Sequence, residues 1–367
     1  MASEDAMKPK ATQNSGKSRR IKLLAYCVGT FAEKYIEIGV IFLSLRVFSS
    51  LRISLLAGLV FQVVKFVTAL TRIPFAPVTA IVSTISGTLL IYFSSENVFL
   101  FLIGMVLCAF PFPYIRVWSK QGLGKVEKPK NIVRAGALIV APFFFPIASG
   151  VLALVALALL LAAPRESLPT PLKMHFKILG SIQPNHVAMF AHHAHYFAYS
   201  YAVPYLLVYR FGIPSVWQGF LFYLGWLAYD IYDFVDLRAS WRRFLAGHIL
   251  AGVSIAALFY SKSLVIASIC WFLTGVGGGT VAMLSQLRSA NDASPSANLD
   301  AAEHYGHVMG VLLMLLVVEV ARLEVLGILA GTLSVLTPVI AIWWRRYLGR
   351  INVDSEYGLA RHEMRRL

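Results

Sequence analysis

Ionisable side chains that stand inside long apolar stretches are the residues of this sequence best suited to chemistry. Glu33 and Glu37 are four residues apart, so a helix places both carboxylates on one face. A charge in such a stretch is costly, and it usually pairs or binds a substrate or proton. One interpretation is therefore a substrate or proton site, and the other is a structural ion pair with Lys34. Lys65, in the next stretch, would neutralise a buried charge by pairing with Glu33 or with Asp230.

A second group consists of three histidines, His192, His193 and His195, which are followed in the same apolar stretch by tyrosines. Helical spacing puts His192, Tyr196 and Tyr199 on one face. Histidine titrates near physiological pH, so a histidine in a wet cavity can carry a proton. A proton-linked role, a structural hydrogen-bonded role and a metal site all remain open.

The metal interpretation requires residues from more than one helix. His192 and His195 are three residues apart, a spacing at which two imidazoles can bind one ion. A third ligand must come from another stretch, where Glu303, His304 and His307 are the candidates. The first expectation is nevertheless a site without a metal ion and a protein without a cofactor.

A third group follows one predicted helical stripe and contains Trp226, Asp230 and Asp233. Trp226 and Asp230 are candidates for substrate or proton binding. Asp230, Asp233 and Asp236 also resemble the Asp-rich Mg²⁺-diphosphate motif of membrane prenyltransferases, since carboxylates at this spacing can hold Mg²⁺. Such enzymes carry a second Asp-rich motif, and the sequence offers none, so a non-enzymatic function is expected and this enzyme is the alternative.

The composition defines the surroundings in which these groups must work. The chain has 367 residues, of which 58% are hydrophobic and 14% charged, and its mean hydropathy is +0.69. Soluble domains carry about 25% charged residues, so this composition excludes a soluble globule, and equally a disordered, collagen-like or coiled-coil chain. It predicts an all-α polytopic protein in a lipid bilayer. The three cysteines lie far apart in apolar stretches and are expected to be inert.

Hydropathy predicts about twelve transmembrane helices, because each needs about 20 apolar residues. They are placed at 21–45, 53–71, 75–93, 97–117, 131–146, 148–164, 184–209, 214–235, 243–260, 263–285, 303–321 and 324–346. The stretch 131–164 fits either one long span or a two-helix hairpin. Basic loops on both sides favour two spans, with a tight turn near 146–150.

The net charge of +15 is explained by the orientation of the spans. On this topology the cytoplasmic segments hold 26 of the 33 Lys and Arg residues, which is the distribution that the positive-inside rule describes. Both termini are therefore expected to be cytoplasmic, and nucleic acid is not an expected partner. The predicted organisation is a tail at 1–20, a six-helix half at 21–164, a linker at 165–183, a second six-helix half at 184–348 and a tail at 349–367.

Twelve spans in two sets of six around a cytoplasmic linker resemble the major facilitator superfamily of transporters over nearly the whole chain. The signature of that family is Gly, then Asp-Arg, then Gly-Arg-Arg, after the second span and again after the eighth. The second copy is represented here by Asp236, Arg238, Arg242 and Arg243, and the first copy by Arg72 alone. The spacing differs and the Gly of the second copy is absent, so the chain is similar to a divergent member. The resemblance implies a gating loop at these five residues.

The resemblance also implies the function: a secondary transporter that moves a small molecule by alternating access. In that family the first helix of each half lines the central cavity, so the Glu33 and Glu37 face is expected to look at the face of His192, Tyr196 and Tyr199. Such an aromatic and net acidic cavity suits a cationic or amphipathic substrate, with protons as the coupling ion. The cell membrane is the expected location, and a non-transporting membrane scaffold is a further alternative.

Overall fold

The structure is a computed structural model, and all the regular secondary structure in the part of the chain that it describes is helical. It describes residues 11–71, 77–94, 96–120, 123, 126–163, 184–235, 240–285 and 296–364. Arg72, Asp236, Arg238 and the predicted linker at 165–183 lie outside these residues. Contacts divide the chain into two compact units, Met1–Lys173 with Leu207–Tyr223, and Met174–Leu206 with Leu224–Leu367.

The helices of the first unit are α1 (Ala11–Phe48), α2 (Leu51–Thr71), α3 (Pro77–Phe93), α4 (Val98–Ala109), α5 (Phe112–Lys120), α6 (Glu127–Val140) and α7 (Pro146–Ala162). The second unit contains α8 (Pro184–Phe197), α9 (Val203–Tyr205), α11 (Trp241–Tyr260), α12 (Leu264–Gly278), α13 (Ser296–Val320) and α14 (Leu323–Met364). The helix between them, α10 (Ser215–Asp230), begins in the first unit and ends in the second.

A helix, or a run of short helical segments, coincides with each predicted span in the described part of the chain. Six helical stretches of the described residues are long and apolar enough to cross a membrane by length and composition: Leu51–Thr68, Val98–Lys120, Trp241–Tyr260, Leu264–Ala282, Ala302–Val320 and Leu323–Tyr347. Two shorter apolar helices, α3 and α7, accompany them. The predicted tails are partly helical, since α1 already begins at Ala11 and α14 continues to Met364. Beyond the last apolar stretch, strong helix formers such as Arg350, Glu356 and Leu359 favour the continuation of α14.

The stretch 131–164 contains two helices, but the turn predicted near 146–150 is wrong. The helical path breaks earlier, at Phe144 and Phe145, which are not helical. Pro146 starts α7 because a proline fits the first helical position, where no N–H is needed. Ser149 and Gly150, which suggested the turn, lie inside α7, where Gly150 packs against the side chain of Thr88. Helix packing thus explains the glycine.

The first unit is built around α1, which contacts α2, α5, α6 and α7. Its core combines small and bulky side chains, including Ala32 and Val40 of α1, Phe61 of α2 and Ala156 of α7. Most side chains of α1 between Ala25 and Leu45 are buried because four neighbouring helices pack against it.

Tyr35 of α1 stabilises the non-helical segment between α6 and α7. Its hydroxyl donates a hydrogen bond to the carbonyl of Phe143 (3.1 Å) and accepts one from the N–H of Phe145 (3.0 Å). Since no helical partner exists for these backbone groups at the break, the tyrosine supplies one for each. The ring also packs against Phe144, with centroids 5.1 Å apart.

Replacing Tyr35 by Phe is therefore expected to lower the free energy of unfolding by about 1–3 kcal/mol, since it removes two partly buried hydrogen bonds of about 0.5–1.5 kcal/mol each. The ring packing is kept, so the loss reports the two hydrogen bonds. Thermal unfolding of the detergent-purified chain measures it. Tyr92→Phe is the matched control, because Tyr92 is exposed and packs only its ring against neighbouring aromatics. Equal losses in both variants would contradict this role.

In the second unit, α8 packs against α13 and α14, and α11 packs against α12 and α14. Glycines allow the close approach of these helices. A Cβ at Gly306 of α13 would meet the carbonyl of Phe190, and a Cβ at Gly310 would meet that of Ala194, so α8 lies directly on the backbone of α13. This contact fixes the helix that carries the histidine cluster.

Candidate functional site

Two helices of the first unit bring the predicted acidic site together with lysines. Glu33, Lys34 and Glu37 lie on α1, and Gln62 and Lys65 lie on α2. Glu33 is 6% exposed, Glu37 2%, Gln62 1% and Lys65 4%, so this is a buried polar cluster in an otherwise apolar helix pair. Glu33 and Glu37 are four residues apart on α1, and Gln62 and Lys65 are three residues apart on α2. Each pair therefore lies on the face of its helix that packs against the other helix.

Every member of the cluster has a charged or amide partner. Lys65 forms an ion pair with Glu33, and its Nζ lies 3.9 Å from Oε2 of Glu37. Nζ of Lys34 donates to the same Oε2 of Glu37 at 2.7 Å. Nε2 of Gln62 donates to Oε1 of Glu37 at 3.0 Å. The two carboxylates therefore face two ammonium groups, and the cluster is neutral when all four groups are charged.

These contacts show which partners the ionisable groups have. The structural ion pair considered for Lys34 is formed with Glu37, because residues three apart face each other on a helix. Of the two partners considered for Lys65, the structure shows Glu33. The expected net acidic character is wrong for this cluster, because Lys34 and Lys65 offset both carboxylates.

The second unit gathers the histidines and aromatic residues that the sequence indicated. Tyr196 stacks on His192 with centroids 6.4 Å apart, and it meets Trp226 of α10 edge to face at 5.4 Å. Tyr199 lies just beyond the end of α8 at Phe197; its ring stacks on His195 (6.3 Å, interplanar angle 9°) and meets that of Tyr196 edge to face at 5.6 Å.

His192 and His195 meet a third imidazole, that of His248 on α11. The three ring centroids lie 5.0, 5.2 and 5.5 Å apart, and each residue is at most 1% exposed. Nδ1 of His192 lies 3.0 Å from Nε2 of His248. The third imidazole beside this pair is therefore that of His248 on α11, and not that of His304 or His307, which the sequence suggested.

His193 points into a different cluster. Its Nδ1 lies 3.1 Å from Nε2 of His307 on α13, and the same Nε2 lies 3.8 Å from Oε1 of Glu303. The ring of His304 is 5.7 Å from that of His307. His192 and His193 thus face different groups of histidines, because neighbouring positions on a helix point about 100° apart. Their own rings nevertheless lie 5.0 Å apart.

The remaining candidates are placed as follows. Asp230 is 2% exposed and ends α10, whereas Asp233 lies in a 3₁₀ turn after it, so the predicted single α-helical stripe does not continue to Asp233. Arg242 and Arg243 are exposed in the first turn of α11, and the hydroxyl of Ser240 caps that helix at the N–H of Arg243. The other predicted gating residues lie outside the described part of the chain.

Sequence reasoning missed Gln62 and His248. Both are polar residues in apolar helices, and this pattern could have identified them. Gln62 lies three residues before Lys65 on one helix face, and His248 interrupts an apolar helix. Neither signal names a partner, because Glu37 is 25 positions from Gln62 and His192 is 56 positions from His248.

Comparison with known proteins places this arrangement in a class of folds. No protein-family model and no curated protein matches the sequence. Solved structures do match. An auto-inhibited peptide transporter of the POT family is similar with a TM-score of 0.67 at 12% identity, covering 90% of this chain and 97% of that one. A bacterial homologue of the iron transporter ferroportin, inward-facing, gives 0.64 at 14%, covering 89% and 98%. The human organic anion transporter MFSD10 gives 0.59 at 13%, covering 91% and 100%.

The chain therefore has the fold of the major facilitator type of membrane transporter. The expected resemblance is confirmed at the level of the fold. Together with the apolar helices of both units, this fold makes the chain an integral membrane protein.

Proposed function

We propose that this protein is a secondary active transporter of a small molecule, which works by alternating access and couples transport to protons. The observation that carries the proposal is the buried ion cluster of Glu33, Glu37 and Lys65 in a fold of membrane transporters. Two six-helix halves, cytoplasmic termini and a location in the cell membrane belong to the same proposal. They rest on hydropathy and on the positive-inside distribution of the basic residues.

The cluster supports proton coupling because its ion pairs depend on charged carboxylates. Protonation of Glu33 removes the charge that Lys65 faces, so the ammonium must find another partner, such as Glu37 at 3.9 Å. A buried group that exchanges partners when a proton binds has two states, which is what coupling requires. The hydrogen bond from Gln62 of α2 to Glu37 can form whether Glu33 is charged or protonated.

The aromatic and histidine residues of the second unit support a substrate that is cationic or amphipathic. Tyr196 and Trp226 offer ring faces, and such faces attract cations. In the cluster of Glu33, Lys34, Glu37 and Lys65 the charges balance, which disfavours a substrate with a high positive charge. The similar structures named above are a peptide transporter, an organic anion transporter and a homologue of an iron transporter, so they support transport without favouring one substrate.

Glu33→Gln is expected to reduce transport to the level of protein-free liposomes while the protein stays folded. The full chain is reconstituted into proteoliposomes with an imposed pH gradient, and accumulation of the cationic aromatic dye ethidium is followed. The amide keeps the shape of Glu33 but cannot be ionised, so the exchange of partners by Lys65 is lost. His192→Ala is tested beside it, as the candidate proton carrier of the second unit.

Glu96→Gln is the matched control, because Glu96 is exposed in the first unit and belongs to no buried cluster. Unchanged gradient-driven uptake in both Glu33→Gln and His192→Ala would refute the site. Absence of any gradient-driven uptake in the wild type would refute proton coupling of this substrate class.

The enzyme alternative has its own test. The fold of membrane transporters favours transport over prenyl transfer, and the Asp-rich string is interrupted by the end of α10 at Asp230. Mg²⁺-dependent consumption of a prenyl diphosphate by the purified chain, abolished in Asp230→Asn, would establish the enzyme instead. A chain that neither transports nor turns over such a substrate would fit the membrane scaffold.

A further inference from the structure

We propose that His192, His195 and His248 bind one first-row divalent transition-metal ion, of which Zn²⁺ is the type case. One ligand nitrogen from each of these three histidines lies within 4.8 Å of the others. The site lies entirely in the second unit, between α8 and α11. It shares His192 with the proton coupling proposed above, so its test measures metal binding and not transport.

The first argument is an unsatisfied side chain. His195 is 1% exposed, and neither of its ring nitrogens has a hydrogen-bond partner among the described residues. Buried polar groups nearly always have a hydrogen-bond partner, so a buried imidazole with two unsatisfied nitrogens is unusual. A metal ion bound to one of these nitrogens supplies the missing interaction.

The second argument is the orientation of His248. Its Nδ1 lies 3.0 Å from the carbonyl of Phe244, which can only accept, and 3.4 Å from the hydroxyl of Thr280. That hydroxyl donates its own hydrogen to the carbonyl of Gly277 (2.7 Å). Nδ1 of His248 therefore carries the proton, and in the neutral ring Nε2 presents a lone pair to the cluster. Metal-binding histidines are commonly held by such a bond from the second nitrogen to a backbone carbonyl.

The third argument is the distance between ligand atoms. Nδ1 of His192 and Nε2 of His248 are 3.0 Å apart. Two nitrogens bound to one tetrahedral zinc ion lie about 3.3 Å apart, since each Zn–N bond measures about 2.0–2.1 Å. For both nitrogens to bind one ion, one imidazole must move outward slightly, and the hydrogen that Nδ1 of His192 donates to His248 must move to Nε2 of His192 or be released as a proton.

The donor set selects the kind of ion. Three imidazoles suit zinc and its neighbours in the first transition row, whereas Mg²⁺ and Ca²⁺ prefer oxygen ligands. Three protein ligands leave the fourth tetrahedral position to a water molecule or another small ligand. The second cluster, of His193, Glu303 and His307, offers one carboxylate oxygen and two imidazoles, but two of these residues are only partly buried.

The test is metal binding by the full chain, purified in detergent with a tag that contains no histidine. Zn²⁺ is added, unbound metal is removed, and zinc per chain is measured by atomic emission. Co²⁺ is added separately, because a tetrahedral cobalt site absorbs visible light. We expect one zinc ion per wild-type chain. In His195→Gln and His248→Gln we expect at least about a 100-fold loss of affinity, since removal of an outer partner alone costs up to that much.

His186→Gln is the matched control, because His186 stands on the same helix, outside both clusters, and should retain the ion. His193→Gln distinguishes the two clusters. Zinc lost in His193→Gln but kept in His195→Gln would overturn the proposal, as would a wild-type chain that binds no zinc. Helical circular dichroism and size exclusion verify each fold, and His195→Asn replaces the glutamine variant if that variant does not fold.

Discussion

Replacing Lys65 by Met is expected to lower the free energy of unfolding by about 3–5 kcal/mol, the range for removing one partner of a buried ion pair. Lys65 is 4% exposed and faces Glu33 and Glu37. Without it, the two carboxylates face the single ammonium of Lys34. The methionine fills most of the space, so the loss measures uncompensated charge and not a cavity. Thermal or denaturant unfolding of the detergent-purified chain reports it.

The double variant Glu33→Gln, Lys65→Met is expected to recover most of this loss. It removes the pair together and leaves Glu37 with Lys34 at 2.7 Å and Gln62 at 3.0 Å, so the remaining cluster is again neutral. Neutral replacements of buried ion pairs are often tolerated. Lys34→Met is the matched single variant, with a smaller expected loss because the Lys34 side chain is 18% exposed. A double variant as unstable as Lys65→Met would show that the lysine acts through packing and not through charge.

Replacing Gly252 of α11 by Val is expected to destabilise the protein by at least about 3 kcal/mol, the upper range for forcing extra atoms into a packed core. A Cβ at Gly252 would lie 2.6 Å from the carbonyl oxygen of Gly331 on α14, and a Cβ at Gly331 would lie 2.5 Å from that of Gly252. Backbone atoms cannot rotate away as side chains do, so the two helices must separate. The yield of folded chain in size exclusion and its thermal unfolding are the measurements.

Gly136→Ala provides the control for this glycine contact. Gly136 also lies inside a helix, α6, but a Cβ there would meet only the ring of Phe31, at an ordinary 3.5 Å. Alanine is the better helix former by about 1 kcal/mol, so this variant should be as stable as the wild type or more stable. If Gly252→Val is tolerated as well as Gly136→Ala, α11 and α14 are not held together by this contact.

Much of the fold follows from local sequence. The apolar stretches predict helices that the structure contains, because a chain in a bilayer must satisfy its backbone hydrogen bonds within each segment. The errors are also local in origin. Pro146 and the Ser149-Gly150 pair all favour turns, and only the packing of Gly150 on Thr88 shows that the glycine belongs inside a helix.

The candidate sites also have features that follow from local sequence and features that depend on the tertiary structure. The sequence by itself determined which residues are chemically conspicuous, since Glu33, Lys65 and His192 are recognisable as polar groups in apolar helices. Only the tertiary structure decided their partners: Lys65 with Glu33, and His192 with His248. The physical reason is that burial cost depends on a residue and its immediate stretch, whereas pairing depends on which helix faces meet. Those faces are brought together by close backbone contacts between helices far apart in the sequence, which no single stretch encodes.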